Sequence, residues 1–147
     1  MREDYYRLPL DFHRFFEEGG GQLDKCTELE SIDQHIEMLF TTCPGEHRFD
    51  PDFGCRIWDL DFLAIASFEL WEKQFKQYIR ETVVRYETRL ADVHVDIHLR
   101  DIVREERTNC SVAVRKRADI YISARVVSTD TPVRLKYTLY LGPLSNE

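Results

Sequence analysis

The residues best equipped for chemistry gather around one central stretch, where Glu46, Asp50, Asp52, Asp59 and Asp61 stand close together in the chain. A calcium loop would use such carboxylates as alternating oxygen ligands and would close with a glutamate at its twelfth position. Here Pro51 and Phe53 interrupt the alternation, and the twelfth residue counted from Asp50 is Asp61. Loop caps and salt bridges are the simpler use of these groups. Glu46 with one aspartate could form a glycosidase-like acid and base pair. That chemistry requires one carboxyl raised by an apolar pocket and a second at a fixed separation. The neighbouring Arg48 and Arg56 act in the opposite direction, because a nearby cation lowers a carboxyl pKa. His94, Asp96 and His98 alternate along one segment and share a strand face. Such neighbours stand ~6.5 Å apart, too far to chelate one ion comfortably, so they read as the polar side of a sheet.

Asp52-Phe53-Gly54 matches the metal-binding tripeptide of protein kinases, but no glycine-rich loop or catalytic loop accompanies it. No nucleophile elbow, Walker sequence or dinucleotide fingerprint occurs. The expectation is a non-enzyme with no catalytic residue, cofactor or metal ligand.

The elements that position these residues are legible from periodicity. Leu8-Pro9-Leu10 reads as an extended arm leading into a short helix capped by Asp11, with Phe12, Phe15 and Phe16 on one side. Gly19-Gly20-Gly21 ends it and reads as a flexible joint about which arm and mini-helix move together. Ser31-Ile32-Asp33-Gln34 has capping-box form, followed by an apolar stripe at Ile32, Ile36, Leu39 and Phe40. Pro44-Gly45 stops this helix. A second helix is predicted from about Ser67 to Tyr86, with Phe68, Trp71, Phe75, Tyr78, Ile79 and Val83 inward. The period then changes to two. Val93 to Leu99, Ala118 to Val126 and Val133 to Leu141 read as strands, with a polar connection from Arg100 to Asn109 and a turn at Ser128 to Pro132. Two helices followed by a meander predict an α+β fold: an N-terminal arm and two main helices packed on one face of a three-stranded antiparallel sheet. The arm is assigned residues 1–26 and the α+β domain residues 27–147.

The loop between the helices is unusual for a linker. It holds Pro44, Gly45, Glu46, Pro51, Phe53 and Gly54, and aromatic residues are wasted on solvent. It is therefore expected to be ordered, with Phe49 and Phe53 anchoring it to the core.

A net charge of −7 argues against a nucleic-acid module, whose affinity rests on cations at phosphates. The single basic run, Arg115-Lys116-Arg117, is expected to span both sheet faces near an edge. No stretch approaches the ~20 apolar residues that cross a bilayer, and the start of the chain lacks the apolar core of a signal peptide. Cys26, Cys43, Cys55 and Cys110 have no metal-like spacing and are expected to be reduced. These features predict a cytoplasmic protein without direct membrane insertion. With no active site to support, function by assembly is favoured, and the last strand is a natural edge for addition of a strand from another chain.

Ser31-Ile32 opening a helix, Pro44-Gly45-Glu46 ending it, and Pro51-Asp52-Phe53-Gly54-Cys55 ahead of Asp59-Leu60 and Phe62 form a combined signature. It resembles the lysozyme-like baseplate wedge family of contractile phage tails, which includes TssE, the corresponding component of bacterial type VI secretion systems. The resemblance spans roughly residues 27 to 141, and the Leu8-Pro9-Leu10 arm is more similar to the secretion-system members. It implies a structural role: joining other wedge subunits, possible contact with the spike or hub protein, and a sheet with which sheath strands interleave, so that sheath polymerisation starts from a baseplate at the inner face of the envelope. It also implies a docking role for Glu87 and Arg89, which stand where the family has Glu-Pro-Arg, with Thr88 in place of the proline. Substitutions at these two are expected to leave folding intact. Val133, Leu135, Tyr137 and Leu139 are the residues expected at the partner-binding strand. The alternative is a regulatory anti-adaptor-like binding module of the same fold.

Overall fold

Thr27 opens the first long helix, and it does so reciprocally. Its hydroxyl accepts from the Glu30 amide at 3.3 Å, while the Glu30 carboxylate accepts from the Thr27 amide at 2.9 Å. Two donors with no helical partner are thereby satisfied. This helix, α1, runs over Glu28–Thr41. The start expected at Ser31 is thus corrected: Thr27-Glu28-Leu29-Glu30 carries the same capping pattern earlier, and Ser31 lies inside the helix. Replacing Thr27 with alanine is expected to cost about 1 kcal/mol. Calorimetry should show the melting temperature falling by about 2–4 °C with helix content retained.

The computed structural model describes residues 4–60, 68–105 and 112–141, the side chains of 68, 103–105 and 112–115 excepted. Asp61, Phe62, Ser67, Asn109 and Cys110 lie outside the described residues.

Two short strands, β1 (Tyr5–Tyr6) and β2 (Lys25–Cys26), pair antiparallel and bracket a 3-10 turn at Phe12–Phe16 capped by Asp11. The arm is not a free joint. The Leu8 amide donates to Gln34 Oε1 at 3.0 Å, Arg7 pairs with Glu30, and Arg14 pairs with Asp24. Gly21 packs directly against the Arg14 backbone, where a side chain would not fit. The sequence suggested mobility because glycine runs are permissive; here close approach is what glycine allows. The turn leaves Phe12, Phe15 and Phe16 exposed.

The second long helix, α2, spans Phe68–Tyr86. Its Trp71, Phe75, Ile79 and Val83 meet Ile32, Ile36, Leu39 and Phe40 of α1 in a single core, the faces that the apolar stripes predict. Three antiparallel strands follow: β3 (Leu90–Glu105), β4 (Val112–Val126) and β5 (Thr131–Leu141), in the order β3-β4-β5. The fold is α+β, with both helices against one face of this sheet. Ile97, Ile120, Ile122, Leu135 and Leu139 complete the core.

Two expectations about the sheet are corrected. The stretch from Arg100 to Glu105 is strand, with Arg100 opposite Arg117 and Val103 opposite Val114. Its polar composition hid it, because ladder hydrogen bonds are made by backbone and do not require one apolar face. The run Arg115-Lys116-Arg117 consequently lies in the central strand, not near an edge.

Candidate docking surface

The turn between α2 and β3 holds the most densely bonded polar group among the described residues. Glu87 is 1% exposed. Arg89 grips it in a fork, Nε to Oε1 and Nη2 to Oε2, both at 2.8 Å, and the Arg89 amide adds a bond to Oε1 at 3.2 Å. His35 Nδ1 lies 2.8 Å from Oε2. An ionised carboxylate only accepts, so His35 donates here. Burial pushes the Glu87 carboxyl up, but the hydrogen bonds from Arg89 and His35 more than offset that and hold it at about 2.

Arg89 extends the group outward. Its Nη1 donates to Ser31 Oγ at 2.9 Å, and its guanidinium lies 5.1 Å from the centre of the Tyr5 ring. One ion pair thus ties α1, the α2–β3 turn and the arm. Thr88 is exposed in this turn, and the Leu90 amide bonds to the Glu87 carbonyl at 3.3 Å. The geometry that a proline would fix covalently is held by these bonds. Beside Tyr5 a cleft of about 390 Å³ opens between the arm, the start of α1 and the β4–β5 turn, lined by Leu29, Val126 and Val133 among others.

The central loop is ordered by its own backbone. The Gly45 amide donates to the Pro51 carbonyl at 2.7 Å, and Phe53 to Asp50 at 3.1 Å. Gly45 and Gly54 have φ of 95° and 122°, the left-handed region that favours glycine. Glu46 accepts from the Cys43 amide at 3.2 Å, Asp50 from the Asp52 amide, and Asp52 and Asp59 pair with Arg85 and Arg56. Loop carboxylates therefore serve as caps and ion-pair partners. Phe53 does anchor the loop, edge-on to Tyr86 at 5.2 Å and beside His35 at 6.3 Å. Phe49 does not: it is 87% exposed, and its ring contacts among the described residues are with its neighbours His47 and Arg48. Phe53 also joins the loop to the Glu87 group through His35, a link invisible in sequence because His35 and Glu87 are so far apart in the chain.

At the sheet, β5 is an edge with no described strand on its outer side. Leu135 and Leu139 are buried, and Val133 and Tyr137 pack against the core. All four point to the helices, so what β5 offers outward is backbone together with Arg134, Lys136, Thr138 and Tyr140. The other edge, β3, is guarded in its first half: Arg80 Nε donates to the Val93 carbonyl at 3.3 Å and Lys76 Nζ lies 4.0 Å from Asp96. His94 and His98 lie on the outer face, with His98 against the Tyr121 ring. The sequence missed Ser31, His35 and Tyr5 as members of the Glu87 group. The i,i+4 spacing of Ser31 and His35 on α1 was the one available signal.

The family model of baseplate wedge protein gp25 matches residues 27–131. The chain belongs to this wedge family. No curated protein sequence matches the wedge-family chain. Among solved structures it is similar to a protein described as a candidate tail lysozyme from Geobacter sulfurreducens, with a TM-score of 0.59 and 24% identity over 84% of this chain and 100% of that one. It is also similar to a chain from the baseplate complex of the type VI secretion system, with a TM-score of 0.47 and 15% identity over 77% of this chain and 93% of that one. At such identities the first likeness speaks for the fold. Among the described residues of the wedge protein, no helix is long and apolar enough to cross a membrane.

Proposed function

We propose that this chain is a structural baseplate component of a contractile injection machine of the type VI secretion kind, joining other wedge subunits to the sheath and helping sheath polymerisation start by strand addition at β5. The reading rests on one observation: in a chain of the baseplate wedge family, β5 is a sheet edge with its outer side unpaired among the described residues. Strand addition draws on backbone hydrogen bonds and needs no catalytic motif. Glu46, Asp50, Asp52 and Asp59 of the central loop are engaged in caps and ion pairs, which favours assembly over hydrolysis.

In this reading Glu87 shapes the docking surface from within, while Arg89, whose side chain is 24% exposed, presents the guanidinium edge beside Tyr5. The exposed aromatics Phe12, Phe15 and Phe16 of the 1–26 arm offer a further apolar patch for wedge or hub subunits. The 27–147 unit carries the fold, and the assembly forms in the cytoplasm at the inner face of the envelope.

The test exploits the alternation of an edge strand. Of adjacent positions Lys136 and Tyr137, one directs its amide outward, where proline is tolerated. The proline variant that retains wild-type melting is expected to join the other wedge subunits normally but to reduce sheath polymerisation at least tenfold. Normal sheath assembly with that variant removes the strand-addition mechanism. Cell-wall lysis by the purified protein, abolished by Glu46→Gln, overturns the non-enzymatic reading.

A further inference from the structure

The two sides of β5 differ in charge in a way that backbone pairing does not require. On the outer face, Arg134 and Lys136 are exposed, and neither has a carboxylate within 4.0 Å among the described residues. Lys136 Nζ lies 5.5 Å from the centre of the Tyr121 ring on β4, and its charge also helps to hold down the buried Asp119 carboxyl, whose bonds go to Arg117 and Thr138. On the helix-side face, β5 and α1 border a groove of about 220 Å³. Phe40, Tyr137 and Leu139 give it apolar lining and Asp33 and Glu37 of α1 its acids, while Lys136 and Thr138 border it from the strand side. Asp33 accepts from the Tyr137 hydroxyl at 2.7 Å, so that carboxylate is fixed at the strand.

A strand added to β5 places successive side chains alternately beside these two faces. Acidic residues beside Arg134 and Lys136 make opposite-charge cross-strand neighbours, whereas the same residues slipped by one position meet Asp33 and Glu37. We infer that the occupant of the β5 edge is a strand from another polypeptide whose alternate residues are acidic, with apolar or hydroxyl residues between them, and that the charge difference across β5 fixes the register parity of the docked strand. This rests on strand addition at β5, proposed above, and adds to it the chemistry of the incoming strand.

The experiment uses the full chain and two nine-residue probes, glutamate alternating with valine and lysine alternating with valine. Amide hydrogen exchange along β5 reports strand addition, and fluorescence anisotropy reports affinity. The glutamate peptide is expected to protect β5 amides and to bind about tenfold more tightly than the lysine peptide, an effect of the two cross-strand charge pairs at Arg134 and Lys136. In Arg134→Glu/Lys136→Glu the order of the two peptides is expected to reverse, while Lys73→Glu on α2 leaves it unchanged. Protection of β5 by both peptides with equal affinity overturns the charge rule and leaves strand addition standing. Absence of β5 protection with either peptide overturns strand addition itself. A glutamate preference that persists in the double variant places the acid site elsewhere and overturns the inference.

Discussion

Replacing Glu87 with alanine is expected to destabilise the protein by about 3 kcal/mol, because it leaves the Arg89 guanidinium and the His35 ring without their shared acceptor. Breaking a buried charge pair costs about 3–5 kcal/mol. The lower end applies here, since the Arg89 side chain is 24% exposed and recovers some hydration. For a chain of this size the melting temperature should fall by about 6–12 °C. Where the sequence predicts that substitutions at Glu87 and Arg89 leave folding intact, these contacts argue for a cost in stability, because the pair joins α1, the α2–β3 turn and the arm. The acid side of the stability curve gives an independent check. The Glu87 carboxyl sits at about 2 in the folded protein against an ordinary value of 4.5. A depressed folded-state pKa contributes stability that is complete above about 4.5 and is lost as pH falls towards 2, a difference of about 3 kcal/mol. Urea titrations at pH 6 and pH 3 should show about 2 kcal/mol of that loss in the wild type, since pH 3 is still above the folded value, and much less of it in Glu87→Gln. Equal acid sensitivity in the two proteins would remove the ion pair from this role.

Gly54→Ala is the second large effect. At φ 122° an L side chain is strained, and its Cβ would press on the Thr42 carbonyl oxygen and come within 3.0 Å of the Cys43 carbonyl carbon. The same Thr42 carbonyl accepts from the Cys55 amide at 3.0 Å, so relief by shifting it breaks the bond that returns the loop to α1. Strain and overpacking each cost about 1–3 kcal/mol, and a combined loss of about 3–4 kcal/mol is expected. Gly45→Ala provides the control. Its φ of 95° is also strained, but a Cβ there meets nothing within 4 Å, so only the conformational part, about 1–2 kcal/mol, applies. Calorimetry of the two variants side by side separates the contributions; indistinguishable melting temperatures would show that close packing at Gly54 is unimportant.

The sequence shows clearly what repeats and poorly what does not. The stripe at Ile32, Ile36, Leu39 and Phe40 and the alternation through β4 and β5 each involve many residues obeying one period, and the structure buries those faces. The ends of β3 and β4 were obscured because Arg100 to Glu105 has no apolar face to mark a strand. Phe49 and Phe53 looked equivalent, since an irregular loop has no period to separate the aromatic that packs from the one that does not. The Glu87 group escaped for a different reason. Its members Tyr5, Ser31, His35 and Arg89 come from three separate parts of the chain, and only tertiary packing brings them together.

The Arg80 bond to the Val93 carbonyl has a consequence for the molecule as a building block. A sheet open on both sides can be extended in both directions and behaves as an interior link, interchangeable with its neighbours. Among the described residues one side is unpaired along β5, while the first half of the other is guarded by α2. Under the strand addition proposed above, growth from such a sheet has a direction, and a subunit with this asymmetry is suited to stand at the end of an array rather than within it.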